Sequence, residues 1–275
     1  MARDESIREV GARKWRGGAA HEESDRLAIE EPLEIRLGGR RFTLTMRTPG
    51  ADEELAAGFL LAEGFIDSRE ELGEIRRVRD RKGAPEPNAI DVILNVPAAG
   101  LRARLKRNFT VASSCGVCGK TSIEALERRI APIRSAVTIS ARQVLAMPAR
   151  MRAAQAVFAA TGGLHAAAIF ALGAGELELL ALREDVGRHN AVDKAVGWAL
   201  RAGLAPLAEH ALMVSGRLSF EIVQKAAAAG MPILCAVSAP SSLAVELADE
   251  VGVTLVGFVR DGGFNVYARP ERIAG

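Results

Sequence analysis

The segment Cys115-Gly-Val-Cys118 combines residue type and spacing in a way that can do chemistry. A thiol reacts as its thiolate, and a free cysteine with a pKa of about 8.5 supplies little thiolate at neutral pH. Two features here lower that value. The pair precedes a helix-like run from Thr121 to about Arg129, so free backbone N–H groups and the helix dipole favour an anion. Cations bracket it: Arg102, Arg104, Lys106 and Arg107 before, and Lys120 after. Gly116 and Gly119 permit tight turning and leave the sulfurs uncrowded. The second cysteine can resolve or protect a sulfur species formed on the first.

Several chemistries use such a pair. A zinc centre takes about four ligands, and one CxxC supplies half of them. The chain has no second CxxC and no histidine pair at zinc-finger spacing. A thioredoxin-like site belongs after the first strand of an early βαβ unit, whereas this pair comes late. A buried structural pair sits poorly with flanking glycines and nearby charge. Thiol redox chemistry and transfer of sulfane sulfur through a persulfide both stay open on these residues alone. The run ending Gly119-Lys120-Thr121 imitates a phosphate-binding P-loop, but Ser114 stands where the motif needs its first glycine.

A second group of residues is suited to anions. Gly187-Arg188-His189-Asn190 opens a helix whose free N–H groups, with Arg188, can hold an anion. His189 and Asp193 are one turn apart and could pair. Ser215-Gly216-Arg217 falls between a strand and a helix, where open α/β sheets bind ligands. Ser238-Ala-Pro-Ser-Ser242 repeats that arrangement and reads first as a helix cap. Gly162-Gly-Leu-His165 precedes an apolar strand, and a histidine there is usually a packing residue. Arg260-Asp261-Gly262-Gly263 reads as a tight hairpin turn. Together these Gly/Arg loops predict a large anionic ligand such as a nucleotide or pyrophosphate. No GxGxxG follows a strand, so a dinucleotide-binding fingerprint is lacking.

Residues 1–20 lack periodicity and read as a flexible arm. Residues 21–108 read as a small α+β domain. It contains a hairpin of Leu33–Leu37 with Phe42–Met46, a helix that Asp52 can cap, with Leu55, Phe59, Ala62 and Ile66 on its apolar face, and strands near 73–80 and 89–96. Residues 109–275 carry the CxxC and then alternate strand and helix. Continuously apolar runs such as Ile233–Val237 suit strands covered on both faces. The fold class expected is α/β, a three-layer α/β/α domain with a smaller N-terminal α+β domain. Cys235, in such a strand, reads as an inert packing cysteine.

The 275 residues are 49% hydrophobic and 25% charged, with net charge +2 and 4% aromatics. Near-neutral charge and few aromatics argue against nucleic-acid binding. No apolar run approaches the roughly 18–20 residues of a membrane span, and the charged start lacks a signal core. An odd count of three cysteines fits a reducing compartment, so a cytoplasmic location is expected.

Glu31-Pro-Leu-Glu-Ile35, Met46-Arg-Thr-Pro-Gly50, Glu53-Glu-Leu-Ala-Ala-Gly-Phe59, Ser114-Cys-Gly-Val-Cys-Gly119, Gly162-Gly-Leu-His165, Arg183-Glu-Asp-Val-Gly-Arg-His-Asn-Ala-Val-Asp-Lys194, Val214-Ser-Gly-Arg217, Ser238-Ala-Pro-Ser-Ser242 and Phe264-Asn-Val-Tyr267 follow one another in order. This series, from about residue 25 to the end, resembles the formate dehydrogenase accessory sulfurtransferase family (FdhD). The resemblance implies a sulfur carrier that takes persulfide sulfur from a cysteine desulfurase. The carrier passes it to the molybdenum or tungsten of the bis-molybdopterin guanine dinucleotide cofactor before insertion into the formate dehydrogenase catalytic subunit. It implies that Cys115 carries the persulfide and that Cys118 assists. It places cofactor contact on Phe258, Val259, Arg260, Asp261, Gly262 and Gly263, to which the residue reading adds Arg188, His189 and Arg217. It also implies a homodimer and a larger domain like the cytidine deaminase fold. Deaminase chemistry does not follow, because Ala166 and Ala167 stand after His165 where an H-x-E element would be.

Overall fold

The computed structural model describes residues 6–80, 82–97, 100–101, 104, 132–173, 176–260 and 262–275. Cys115, Cys118, the cations Arg102, Lys106, Arg107 and Lys120, the helix expected at Thr121–Arg129, and Asp261 lie outside them.

The N-terminal half forms a four-stranded sheet from β3 (Glu31–Leu37), β4 (Arg40–Arg47), β5 (Leu72–Arg79) and β6 (Pro85–Leu94), in the order β4-β3-β6-β5. Gly38 and Gly39 turn β3 into β4 with φ of 57° and 80°, as a two-residue hairpin requires. Alternation puts Leu33, Ile35, Ile90 and Val92 on the buried face. Helix α1 (Asp52–Ala62) packs on that face. Asp52 does not cap it, contrary to the sequence expectation: Ala51 is the cap residue. The Asp52 carboxylate instead accepts two hydrogen bonds from buried Arg47, at 2.9 and 3.0 Å.

Residues 1–20, expected to be a loose arm, contain a strand. β1 (Ile7–Arg16) pairs antiparallel with β2 (Ala19–Ala28), across a turn in which Gly17 and Gly18 take φ of 58° and 83°. Apolar alternation is weak here because the two strands meet partly through charge: Arg13 with Glu22 at 3.5 Å, Lys14 with Asp25 at 3.3 Å and Arg16 with Glu23 at 3.5 Å. Each cation's partner lies on the other strand, so no spacing within residues 1–20 reports it.

The C-terminal half is built on a six-stranded sheet: β8 (His165–Ala171), β9 (Glu178–Asp185), β10 (His210–Val214), β11 (Ile233–Ala236), β12 (Thr254–Arg260) and β13 (Gly263–Ala268). Its order is β13-β12-β11-β10-β8-β9, with β10, β11 and β12 parallel and the other pairs antiparallel. Both faces are covered. Ala167, Ile169, Leu212, Val214, Leu234, Ala236 and Leu255 share a core with α4 (Arg188–Arg201), α5 (Phe220–Ala228) and α6 (Ser242–Val251). The intervening residues Ala168, Phe170, Met213, Cys235 and Val256 face the other way, against Val144, Met147 and Met151 of α2 (Ala141–Ala154). Continuous apolar runs follow from this double coverage.

Two helices directly precede β8: α2, whose Ser140–Gln143 capping box starts it, and α3 (Ala156–Thr161), with Gln155 at the break. The short strands β7 (Ile139–Ser140) and β14 (Ile273–Ala274) pair in parallel. The halves divided by sequence at residue 108 share one core, since Leu33, Leu55, Leu60 and Ile90 pack in the same cluster as Val192, Val196, Leu212 and Leu234. Among the described residues no helix is long and apolar enough to cross a membrane.

Candidate functional site

The carboxyl ends of β10, β11 and β12 lie side by side because these strands are parallel. β8 and β9 run so that His165 and Asp185 sit opposite each other at that same end. The loops singled out by sequence therefore meet along one edge of the sheet. Leu218 N–H donates to Ala239 O at 3.0 Å, Ser241 N–H to Leu218 O at 2.9 Å, and Phe258 N–H to Ser238 O at 3.2 Å. Ser215 closes the edge on the other side: its N–H donates to Ala166 O, and its Oγ accepts from Ala166 N–H at 2.8 Å. Open α/β sheets bind ligands at such strand ends.

At the centre are Arg188, His165 and Gly216. Arg188 is the first residue of α4, with Gly187 in the N-cap position. A Cβ placed on Gly216 would lie 3.5 Å from Arg188 Cδ and 3.5 Å from His165 Nδ1. The glycine thus leaves a gap between a guanidinium and an imidazole. Arg188 Nε is enclosed and has no hydrogen-bond acceptor among the described residues. Buried donors are nearly always paired, so this orphaned N–H, at a helix N-terminus rich in free N–H groups, fits an incoming anion. Burial pushes the His165 pKa down, Arg188 and His189 push it further, and Asp185 opposes them. His165 is therefore held towards its neutral form, able to donate or accept beside the cation.

His189 does not pair with Asp193, as the helical spacing had suggested. Its Nε2 meets Glu221 Oε2 at 2.9 Å and lies 3.4 Å from Ser219 Oγ. Asp193 reaches Lys225 instead, both oxygens at 2.8 Å. Two rungs thus join α4 to α5, and the cross-helix partners outcompete the intrahelical one because both helices are packed together there. A Ser219–His189–Glu221 relay is excluded, since serine and carboxylate contact the same ring nitrogen.

The other expected site residues divide. Arg217 is exposed on the loop after β10. Arg260 is exposed, with its guanidinium 5.6 Å from the Phe258 ring centre. Phe258 takes φ of 54°, a strained conformation for an aromatic residue, where β12 departs from regular pairing with β13. Gly262 and Gly263 are exposed, and Arg260 pairs with Gly263 in the expected hairpin. Val259 does not present its side chain to a ligand: it is fully buried in the core beside Val256. Arg104, one of the cations expected to bracket the cysteine pair, is committed elsewhere. It donates to Phe65 O, Asp67 and both oxygens of Glu71 at 2.7–2.9 Å. Cys235 is fully buried, which pushes its thiol up to about 12 and makes it unreactive, as expected.

Sequence reasoning gave no site role to Thr48 or Glu221. Thr48 stood within the motif Met46-Arg-Thr-Pro-Gly50. Its contact with Asp185 spans 137 residues of chain, a separation that no local pattern reports.

The described residues form a mixed α/β chain in which Arg188, His165 and the loops after β10, β11 and β12 gather at the strand ends, the place where α/β sheets bind ligands. The chain belongs to the FdhD/NarQ family, whose profile matches residues 28–274. It is 52% identical over 263 residues to the "Sulfur carrier protein FdhD" of Mycolicibacterium paratuberculosis, covering 93% of this chain and 94% of that one. It is 42% identical over 267 residues to the protein of the same name from Sulfolobus acidocaldarius, covering 97% and 98%. The crystal structure of a protein described as a formate dehydrogenase accessory protein, from Desulfotalea psychrophila, superposes with a TM-score of 0.75 at 28% identity, covering 98% of this chain and 99% of that one.

Proposed function

We propose that this protein is a sulfur carrier for the maturation of formate dehydrogenase. Cys115 thiolate attacks the sulfane sulfur of a cysteine desulfurase persulfide. A new S–S bond forms on Cys115, and the desulfurase cysteine leaves as its thiolate. The sulfur then passes to the metal of bis-molybdopterin guanine dinucleotide, held as substrate. Two electrons take sulfane sulfur to sulfide. Attack of Cys118 on Cys115 supplies them, expelling sulfide and leaving a Cys115–Cys118 disulfide for a thiol reductant to reopen.

The observation that carries this reading is the enclosed Arg188 Nε, unpartnered among the described residues, beside His165 and Gly216, in a chain half identical to proteins named as sulfur carriers. Guanine dinucleotides present pyrophosphates, and the Arg188, His189 and Arg217 loops suit them. Phe258, Arg260, Gly262 and Gly263 extend the same edge for the remainder of the cofactor, with Val259 contributing backbone only, and the family resemblance adds Asp261. The reading also carries a homodimer, a likeness of the larger half to the cytidine deaminase fold, a cytoplasmic location, and the formate dehydrogenase catalytic subunit as recipient.

The test is the intact mass of the full chain after incubation with a cysteine desulfurase and cysteine, with and without reductant. A reducible gain of one sulfur atom on Cys115, absent in Cys115→Ser, is expected. Loss of two hydrogens without a sulfur gain assigns the pair to thiol–disulfide exchange. Activation of formate dehydrogenase by Cys115→Ser would leave a cofactor chaperone with no carrier chemistry.

A further inference from the structure

We propose that Asp185 is a positioning residue of this site: its carboxylate holds the turn that presents Arg188 and His189 against the N-terminal half of the chain. This rests on the reading of Arg188 and His189 as anion-holding residues.

Asp185 is fully buried at the end of β9. Its Oδ1 accepts from Gly187 N–H at 2.8 Å and from Asn190 Nδ2 at 3.1 Å. Its Oδ2 accepts from Thr48 N–H at 3.1 Å and meets Lys194 Nζ at 2.7 Å. Thr48 returns the contact: its Oγ1 accepts from Val186 N–H at 3.2 Å, and its carbonyl accepts from Lys194 Nζ at 2.8 Å. Asn190 Nδ2 also donates to Met46 O at 2.7 Å. Residues 185–190 are thus fastened to residues 46–48 from both sides, while Arg47 is itself held by Asp52.

A buried ion pair is an expensive way to join two halves, since apolar packing does so without desolvating charge. The shared core already provides that packing. The carboxylate adds direction, because each lone pair fixes one N–H. The donors it fixes flank Arg188 and His189 in the chain. Orientation matters here because Arg188 Cδ and His165 Nδ1 both lie 3.5 Å from the Cβ position of Gly216. A ligand site tolerates displacements of only about half an ångström before it loosens.

Lys194 has a different part. It lies further along α4, fully buried, and compensates the charge. Removing it leaves the Gly187, Asn190 and Thr48 donors on Asp185. The two ends of one ion pair therefore separate stability from positioning.

The experiment compares the full chain with Asp185→Asn and Lys194→Met. Three quantities are read: thermal midpoint, affinity for inorganic pyrophosphate at low salt, and hydrogen exchange of the peptide covering residues 185–191. Both variants lower the midpoint. Asp185→Asn weakens pyrophosphate binding by about tenfold or more and speeds exchange in that peptide. Lys194→Met keeps the affinity within about twofold and keeps the protection. Equal losses of affinity in both variants, or none in Asp185→Asn, overturn the proposal. If the unsubstituted chain binds no pyrophosphate, the anion reading of Arg188 fails instead. Exchange then decides alone: faster exchange confined to Asp185→Asn supports the positioning role, and equal exchange ends it. Should Asp185→Asn not fold, Asp185→Glu replaces it, keeping the charge for Lys194 while moving the acceptor oxygens, with the same contrast expected.

Discussion

Gly58 of α1 and Gly197 of α4 lie against each other's helix backbone. A Cβ on Gly58 would fall 1.9 Å from Asp193 O, and one on Gly197 would fall 1.8 Å from Glu54 O. No side chain can yield there, because the atoms met are backbone on both sides. This crossing joins the two halves through α1 and α4. Gly197→Ala is expected to cost about 3 kcal/mol or more, at the upper end of overpacking effects. Urea denaturation measures it, and an unchanged midpoint would mean that the helices do not cross this closely.

The Gly216 gap makes a prediction about binding rather than stability. The nearest atoms to an added Cβ are 3.5 Å away, an ordinary contact distance, and they belong to Arg188 and His165 side chains. Gly216→Ala is expected to keep stability within about 1 kcal/mol while weakening pyrophosphate binding. Arg188→Ala removes a charged donor worth about 1.5–3 kcal/mol and weakens binding by about tenfold or more. Calorimetry on both variants tests this, and unaltered affinity in both would place the anion elsewhere.

His165 predicts an acid-side effect. Its pKa is lowered from the ordinary 6.5 by burial, Arg188 and His189, so folding favours the neutral ring. A group depressed in the folded state adds stability that is present above 6.5 and lost as pH falls through that value towards the folded pKa. His210 acts in the same direction through burial. Asp193, raised from 3.8 to about 6 by burial, acts in the opposite direction: its contribution is present below 3.8 and lost as pH rises through about 6. Comparison with His165→Asn isolates the first effect. The unsubstituted chain should lose more stability than His165→Asn between about pH 7.5 and pH 5.5. Parallel pH profiles from thermal melts would count against the His165 environment described above.

Arg104 makes a prediction about the boundary of the cysteine-bearing region. Its hydrogen bonds to Glu71, Asp67 and Phe65 O are charge-assisted and half-sheltered, and Arg104 holds the Glu71 carboxyl below its usual range. Arg104→Ala should cost about 1–2 kcal/mol. It should also remove the stability that Glu71 contributes above 4.5 and loses as pH falls below it, so the variant is less sensitive to acid there. If Arg104→Ala instead leaves stability intact and slows persulfide loading, the role first read for this cation, beside the cysteine pair, is the better one.

The elements with clean periodicity were legible. Leu33–Leu37, the strands of the C-terminal sheet, and the helices beginning near Arg188, Phe220 and Ser242 were each read within a few residues. Ser241 caps α6 by accepting from Ala244 N–H at 3.3 Å, as its motif suggested. The hairpin of residues 7–28 was not legible, because its pairing is partly ionic and carries little hydrophobic alternation. Arg104 and Asp52 were misread for a related reason. A charged residue's partner is chosen by tertiary distance, and sequence supplies only the candidates.

The chain by itself determined the types of group available: a thiol pair among cations, glycines where backbone must turn, and arginines beside helix starts. Those choices are local, and local physics reads them. Tertiary structure alone decided which groups meet. Parallel pairing of β10, β11 and β12 lines their loops along one edge. The Gly58–Gly197 crossing and the Thr48–Asp185 contact then bring the N-terminal half under Arg188. Contacts across more than a hundred residues depend on how two buried faces pack together, which no spacing within one segment encodes.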